Sequence, residues 1–209
     1  MFEQSVSYDT KLVLEKINQS ELANSFYLGG GTALALELGH RQSIDLDWFS
    51  QADFSNGLLK EKLSRLGRLE ITGEEEGTLN AVLDGVKITF LRYRYPLLFP
   101  TVDFGKVPLA DERDIAAMKI DAASSRGSKK DFIDIYFLLR KYSLSELIEI
   151  FEQKYTGIEY NKLYILKSLT YFEDAENEPM PVMIEKVDWE EAKKTIKGKV
   201  NELMEVWLR

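Results

Sequence analysis

The sequence predicts an α+β fold, in which a mixed sheet with flanking helices is followed by a helical C-terminal half. Short apolar runs typical of strands alternate with helical segments as far as residue 92. The last two of these runs are joined by Asp84-Gly85, a pair typical of tight hairpin turns. Beyond Pro108 every patterned segment has the helical period. We therefore expect two domains, residues 1–108 and 109–209.

The predicted elements follow in a definite order. In the first domain we expect a helix at 8–17, a strand at 26–28, a helix at 32–38 that ends at Gly39, a strand at 44–49, a helix at 55–66 capped by Ser55, and strands at 68–72, 78–83 and 86–92. In the second we expect helices at 111–125, 129–142, 145–154, 161–172 and 189–208. The acidic, proline-containing stretch between Phe172 and Val187 is expected to be an exposed connection.

Composition excludes several classes of protein. Of the 209 residues 44% are hydrophobic and 30% charged, which is typical of a globular protein with a buried core. No run approaches the ~18 consecutive apolar residues that a membrane-spanning helix requires. The first ten residues also lack the apolar block of a secretory signal. We therefore expect a cytoplasmic protein with no membrane partner.

Net charge and the absence of cysteine limit the kinds of nucleic-acid and metal binding that we expect. The formal net charge is −8, and only residues 81–141 hold more Lys and Arg than Asp and Glu. An acidic chain is unsuited to general nucleic-acid binding, which depends on neutralising phosphates, although a local phosphate site is compatible with it. Cysteine is absent and His40 is the single histidine. A catalytic metal would therefore have to be held by carboxylates.

Two carboxylates stand two residues apart in the segment SIDLDWFS. On a strand, Asp45 and Asp47 project from one face, about 6.5 to 7 Å apart, while Ile44, Leu46 and Trp48 project from the other. Such a pair is able to hold one or two Mg²⁺ ions, which share their oxygen ligands with substrate phosphates. The same spacing also occurs on the solvated side of an ordinary strand, so the pair alone leaves both interpretations open.

A glycine loop precedes this pair along the chain. Gly29-Gly30-Gly31-Thr32 lies between a predicted strand and a predicted helix. Unobstructed backbone N–H groups and the Thr32 hydroxyl can meet a phosphate at such a place. The loop matches neither the P-loop nor the dinucleotide-binding pattern, and a tight turn without a ligand is the alternative.

The loop and the carboxylate pair together resemble a known family. The segment LGGGTALALELGHRQSIDLDWF is similar to the glycine-rich and Asp-x-Asp motifs of the polymerase-beta-like nucleotidyltransferases. More narrowly it resembles the AbiEii/AbiGii toxin nucleotidyltransferases, whose pattern is G-G-T-x-L, a spacer, and R-x-[ST]-x-D-x-D. The residues that fill this pattern are Gly30, Gly31, Thr32, Leu34, Arg41, Ser43, Asp45 and Asp47.

A second segment, KIDAASSRGSKKDFIDIYFLL, resembles the family's downstream lysine, arginine and [RK]-D motif. Lys119 would border an apolar helical stripe, where it either extends past the edge of the core or reaches a cleft as a cation for nucleotide phosphates. Asp131 and Asp134 either form a structural ion pair with Arg126, Lys129 or Lys130 or, as the resemblance implies, Asp131 lies in or next to the active site. Arg41 is similarly either a phosphate clamp or a surface residue before a strand.

The resemblance implies a Mg²⁺-dependent nucleotidyltransferase, the toxin of a bacterial toxin–antitoxin pair of the abortive infection type. It implies an NTP substrate, an RNA acceptor such as a tRNA end, a cognate antitoxin protein, and a helical domain that completes the active-site cleft. The implied catalytic residues are Asp45, Asp47, Lys119 and Asp131, with the metal on Asp45 and Asp47 and the nucleotide on Gly30, Gly31, Thr32, Arg41 and Lys119.

One position departs from the wider superfamily. Its members usually carry a third carboxylate on a later strand, and the corresponding segment VKITFLRYRYP has Thr89 there. The alternative is therefore a catalytically degenerate nucleotide-binding or protein-interaction module of the same fold.

Overall fold

The computed structural model describes residues 1–207. The chain forms two compact units, Met1–Asp111 and Glu112–Arg209. The first contains helices α1 (Tyr8–Asn18), α2 (Gly30–Leu38) and α3 (Asn56–Ser64), and strands β1 (Tyr27–Gly29), β2 (Leu46–Ser50), β3 (Leu69–Glu75), β4 (Thr78–Leu83), β5 (Val86–Arg92), β6 (Val102–Phe104) and β7 (Val107–Leu109). The second contains α4 (Glu112–Ser125), α5 (Lys129–Leu138), α6 (Leu144–Lys154), α7 (Lys162–Ser168), α8 (Glu173–Glu176) and α9 (Trp189–Trp207).

The strands form one mixed seven-stranded sheet in the order β3-β4-β5-β2-β1-β7-β6. The pairs β2 with β5 and β1 with β7 are parallel, and the other neighbours are antiparallel. This confirms the predicted α+β class, in which a mixed sheet has flanking helices. Among residues 1–207 no helix combines the length and apolarity that a membrane span requires.

Side chains alternate sharply between the two faces of the sheet. One face of β2 and β5 carries Leu46, Trp48 and Phe90, which are completely buried. The Trp48 and Phe90 rings stack with centroids 6.1 Å apart, and Phe26 packs edge-on against Phe90. Helices α1, α2 and α3 all contact the sheet. The apolar residues of the strands therefore fill the core, and the alternate positions are left for polar groups.

Capping and turn residues determine where several helices and strands begin or end. Ser55 caps α3 by accepting a hydrogen bond from the Leu58 backbone N–H, as predicted. Gly39 ends α2 with φ +70°, in the left-handed region that glycine adopts without strain. The β4–β5 hairpin turns at Asp84 and Gly85, whose φ angles of +50° and +87° are those of a tight primed turn.

Three expectations about the elements were wrong. The strand predicted from residue 44 begins at Leu46, and Ile44 is 64% exposed rather than buried. Strands β6 and β7 were not predicted, because three-residue strands are too short to show an alternating pattern. The stretch after Phe172 is not a simple exposed connection: it contains α8, whose Ala175 is completely buried.

The second unit is organised around α4, which packs against α5, α6 and α7. Lys154 of α6 and Asp114 of α4 form an ion pair, with 2.7 Å between Nζ and Oδ1, in which neither side chain is exposed. Burial lowers the pKa of Lys154, and the Asp114 carboxylate opposes this shift. This pair connects two helices of the core, and neither of its residues belongs to the predicted site.

Candidate active site

The glycine loop is the junction between β1 and α2. Gly29 is the last residue of β1, and α2 begins at Gly30, whose φ of +63° lies in the left-handed region. The first backbone N–H groups of a helix have no acceptor within the helix. A strand that ends directly at such a helix start offers these groups to an anion.

Gly30 and Asp47 approach each other closely. A Cβ atom on Gly30 would lie 2.6 Å from the Oδ2 atom of Asp47, nearer than Cβ atoms approach other atoms. A Cβ atom on Gly31 would lie 2.5 Å from the Nη2 atom of Arg41. The missing side chains therefore make room for one carboxylate and one guanidinium against the loop. The structure thus brings the two halves of the predicted motif together.

The two aspartates occupy the start of β2. Asp47 pairs with Gly29 of β1, and Asp45 directly precedes the strand. Both are partly exposed, whereas Leu46 between them and Trp48 after them are completely buried. The predicted alternation therefore holds for these four residues, and two hard oxygen donors are left accessible.

Thr32 and Arg41 are largely buried, with exposures of 1% and 4%. The Thr32 hydroxyl lies 2.8 Å from the Ser43 hydroxyl and also contacts the backbone carbonyl of Asp45. The Arg41 guanidinium donates to the backbone carbonyl of Gln42 at 3.0 Å. The Thr32 side chain thus holds the segment that carries Asp45, so a contact with a ligand falls to its backbone rather than to its hydroxyl.

A row of polar side chains crosses the sheet beside Asp47. In parallel register Asp47 pairs with Thr89 of β5, and Thr89 pairs with Asn80 of β4. Directly paired residues project from the same face of a sheet, so we call Asp47, Thr89 and Asn80 the polar row. Thr89, the position at which the resemblance led us to expect a third acid, thus lies next to Asp47. Sequence reasoning missed Asn80, although the Asp84-Gly85 hairpin sets its pairing with Thr89.

Few side chains near the polar row could serve as metal ligands. Within residues 1–207 no three His, Asp or Glu side chains are grouped closely enough to hold an ion. The donors present are the Asp45 and Asp47 carboxylates, with the Thr89 hydroxyl on the neighbouring strand. Oxygen donors of this kind fit Mg²⁺, which usually keeps several waters or takes substrate phosphates as its remaining ligands.

Lys119 and Asp131 belong to the second unit, where they form a buried cluster. The Lys119 ammonium lies 2.9 Å from Asp131 Oδ1 and 2.7 Å from Asp134 Oδ2, and both carboxylates are completely buried. Asp131 also accepts hydrogen bonds from Arg126 Nε at 2.8 Å and from the Ser128 hydroxyl at 2.6 Å. The structural ion pair that the sequence left open is therefore present.

The cluster keeps Asp131 ionised. Burial raises the pKa of Asp131, but the nearby Lys119 ammonium, together with hydrogen bonds from Arg126 and Ser128, outweighs burial and lowers the pKa from 3.8 to about 2. A carboxylate that is ionised at neutral pH and surrounded by donors is a fixed negative charge. It orients Lys119 rather than acting as an acid.

Comparison with known proteins agrees with the motif. The profile of the family described as nucleotidyl transferase AbiEii toxin, Type IV toxin–antitoxin system, matches residues 12–109 and 92–207. The chain belongs to the AbiEii nucleotidyltransferase toxin family. The protein aq_aa25 of Aquifex aeolicus (strain VF5) is 40% identical over 201 residues, which cover 92% of this chain and 94% of that protein.

Two solved structures share the fold of this AbiEii family member. MenT4, a nucleotidyltransferase toxin from Mycobacterium tuberculosis H37Rv, is similar with a TM-score of 0.60 and 14% identity, covering 92% of this chain and 81% of that one. JHP933 from Helicobacter pylori has a TM-score of 0.56 and 15% identity, covering 93% of this chain and 88% of that one. At these identities the similarity concerns the fold.

The contact between Gly30 and Asp47 can be tested with Gly30→Ala. The new methyl group must displace Asp47, so nucleotide affinity in the presence of Mg²⁺ should fall at least about tenfold, as for loss of a positioned charged group. Gly105→Ala is the matched control, because Gly105 has a similar φ of +65° with open space around it. Calorimetric binding and thermal melting separate the two effects. If both variants lose the same stability and bind nucleotide equally well, the loop is a tight turn without a ligand, and its proposed phosphate-binding role is contradicted.

Lys119→Met should destabilise this AbiEii protein. It leaves the Asp131 and Asp134 carboxylates buried without the ammonium between them, and breaking a buried pair in this way costs about 3–5 kcal/mol. The exposed Lys130 supplies the control, since Lys130→Met should change the free energy of unfolding by less than about 0.5 kcal/mol. Urea unfolding measures both. A Lys119→Met variant as stable as the wild type would contradict the structural role.

Stability should also fall at acid pH through Asp131. Because its pKa is lowered from 3.8 to about 2, its contribution is complete above pH 5 and is lost as the pH falls from about 5 towards 2. The shift corresponds to about 2 kcal/mol. Unfolding free energies measured between pH 6 and pH 2.5 should therefore drop more steeply for the wild type than for Asp131→Asn. Parallel curves for the two proteins would count against this assignment.

Proposed function

We propose that the chain transfers a nucleotide from a nucleoside triphosphate to an acceptor at the first-unit site. The observation that carries this proposal is the contact of the glycine loop with Asp47, which juxtaposes an anion site and a carboxylate pair. A helix N-terminus can bind the triphosphate, and a neighbouring carboxylate pair can bind the divalent cation that accompanies it. Membership of the AbiEii nucleotidyltransferase toxin family supports the same reaction class.

In the proposed reaction an acceptor hydroxyl oxygen forms a bond to the α-phosphorus of the NTP. The bond between that phosphorus and the oxygen bridging to the β-phosphate breaks. Pyrophosphate leaves with the electron pair, and the acceptor proton passes to solvent. The protein's part in such a transfer is mainly to position the reactants and to neutralise the charge of the phosphates.

Each residue of the site has a distinct proposed task. The backbone N–H groups at Gly30 and Gly31 would bind the triphosphate, while Arg41 beside Gly31 would supply positive charge. Thr32 would position the Asp45 segment through its two hydroxyl contacts. Asp45 and Asp47 would hold Mg²⁺, and the bound ion would neutralise phosphate charge.

The family resemblance adds Lys119 and Asp131 to the proposed catalytic residues. Asp131 would fix the Lys119 ammonium through the 2.9 Å ion pair, so that the cation is held before substrate binds. A conservative Lys119→Arg variant retains the charge and alters its geometry. A stable Lys119→Arg protein with unchanged nucleotide affinity and reduced transfer would support this task, and full transfer would contradict it.

The proposed acceptor is RNA, such as a tRNA end, and the proposed protein partner is a cognate antitoxin. The antitoxin is supported by the family's description as part of a Type IV toxin–antitoxin system and by the fold shared with MenT4, a nucleotidyltransferase toxin, whereas the RNA acceptor is what the motif resemblance implies. Expression of the chain should then arrest bacterial growth, and the gene beside it should relieve the arrest. Unimpaired growth at high expression would count against a toxin.

The proposed transferase is tested by labelling. Purified protein is incubated with each of the four NTPs carrying an α-phosphate label, with Mg²⁺ and total RNA, and label is then sought on RNA and on protein. Label on RNA with one or more of the four would support the proposal. The same reactions with EDTA should show none. Absence of label on every macromolecule, with intact protein, would contradict turnover.

The carboxylate pair is tested by Asp45→Asn and Asp47→Asn. Each variant should lower transfer at least about a hundredfold, because the metal loses a charged ligand, while the melting temperature changes little at a partly exposed position. Asp103→Asn, an exposed acid on β6 of the same sheet, is the matched control. Undiminished transfer by both site variants would contradict the metal assignment.

The alternative function is a nucleotide-binding module without turnover. Thr89 favours it, because it stands beside Asp47 where the wider superfamily usually has an acid. Under this alternative the wild type binds NTP and transfers nothing. Thr89→Asp then adds a third carboxylate next to Asp47, and newly acquired transfer by that variant would establish that the module had lost a metal ligand.

A further inference from the structure

Lys87 is an exposed cation on the face of the sheet that carries the polar row. It lies two residues before Thr89 on β5 and pairs with Val82 of β4. Residues two apart on a strand project from the same face, about 6.5 to 7 Å apart. Burial alternates accordingly, since Lys87 is exposed, Thr89 is partly exposed, and Ile88 and Phe90 are buried.

The register places Lys87 near the carboxylate pair. Leu46 pairs with Ile88 and Asp47 with Thr89, so the parallel strands bring the start of β5 beside the start of β2. Asp45 directly precedes Leu46 and Lys87 directly precedes Ile88, so both residues lie at the end of the β2–β5 pairing that begins with Leu46 and Ile88. The glycine loop lies on the other side of β2, because β1 pairs with β2 through Gly29 and Asp47.

Lys87 differs from most lysines of the first unit. Four of the six, Lys11, Lys16, Lys60 and Lys62, form ion pairs with carboxylates. In the described part of the chain, Lys87 and Lys106 take part in no ion pair within 4.0 Å, and Asp45 takes part in none either. The fold therefore leaves the Lys87 ammonium available to an external anion.

The proposed transfer would place the leaving pyrophosphate and the attacking hydroxyl on opposite sides of the site. In phosphoryl transfer the attacking and leaving oxygens lie roughly in line with the phosphorus. With the triphosphate on the glycine loop, pyrophosphate leaves on the β1 side of the aspartates. An acceptor hydroxyl in line with that leaving group would then approach from the β5 side, where Lys87 lies.

We propose that Lys87 binds a backbone phosphate of a polynucleotide acceptor, next to the hydroxyl that attacks the NTP. This inference rests on the proposed function and deepens it, because it names a residue of this chain that would bind the proposed RNA acceptor. A lysine acts on phosphate as a compact, salt-sensitive point charge. Thr89 in place of an acid leaves this side of the site less negative, which favours the approach of a phosphate.

The test compares Lys87→Met with Lys106→Met, a variant of an equally exposed and unpaired lysine in the β6–β7 turn at the other end of the sheet. Both remove one charge, so their net charges are equal. The KM for RNA should rise roughly fivefold or more only in Lys87→Met, and the slope of log KM against log salt concentration should fall by about 0.7, the value for one contact to a single strand. NTP affinity and melting temperature should be unchanged, and Lys87→Arg should restore the KM.

The outcomes separate this inference from the function on which it rests. A Lys87→Met variant that behaves like Lys106→Met would overturn the assignment and leave the transferase intact. Weaker NTP binding in Lys87→Met would also overturn it, because the lysine would then be a triphosphate ligand. Label on protein rather than RNA in the wild type would overturn the nucleic-acid acceptor and the assignment of Lys87, and would leave the transferase intact. A wild type that binds no NTP would remove the proposed function and this inference together.

Discussion

The first unit depends on a steric constraint at Gly30, where the chain leaves β1 for α2. A Cβ atom there would lie 2.6 Å from the Asp47 Oδ2 atom, so a side chain would have to displace that carboxylate, and the φ of +63° favours glycine. This single contact joins a helix start to a strand of acids that follows 17 residues later in the sequence. The neighbouring approach of Arg41 to Gly31 repeats the arrangement with the opposite charge. Asp47 and Arg41 can approach the loop this closely because Gly30 and Gly31 carry no side chains.

The chain uses aspartate in two physically different ways. Asp45 and Asp47 stay partly exposed at the start of β2, where a carboxylate can exchange water for a metal or a phosphate-bound ion. Asp131 and Asp134 are completely buried, and burial is tolerable because the Lys119 ammonium lies between them. The sequence contains the pattern D-x-D in one case and D-x-x-D in the other, and only the tertiary environment separates an accessible carboxylate pair from a buried ion pair.

The sheet places the acids, the glycine loop and Lys87 in a fixed lateral order. Parallel pairing of β2 with β5 puts Thr89 beside Asp47, and antiparallel pairing with β1 puts Gly29 on the opposite side. A substrate whose leaving group rests on the loop must therefore meet its acceptor on the β5 side.

The sequence by itself determined the local elements and the motif. Its alternation, caps and turn residues gave the α+β class, the cap at Ser55, the end of α2 at Gly39 and the β4–β5 hairpin, whose two-residue turn also sets the pairing of Asn80 with Thr89. Only the tertiary structure decided the contacts between residues that are far apart in the sequence. The parallel register of β2 with β5, the buried hydroxyl of Thr32 and the shared ammonium of Lys119 join segments whose separation leaves no periodic signal. Local propensity acts over a few residues, whereas these contacts depend on how whole elements pack.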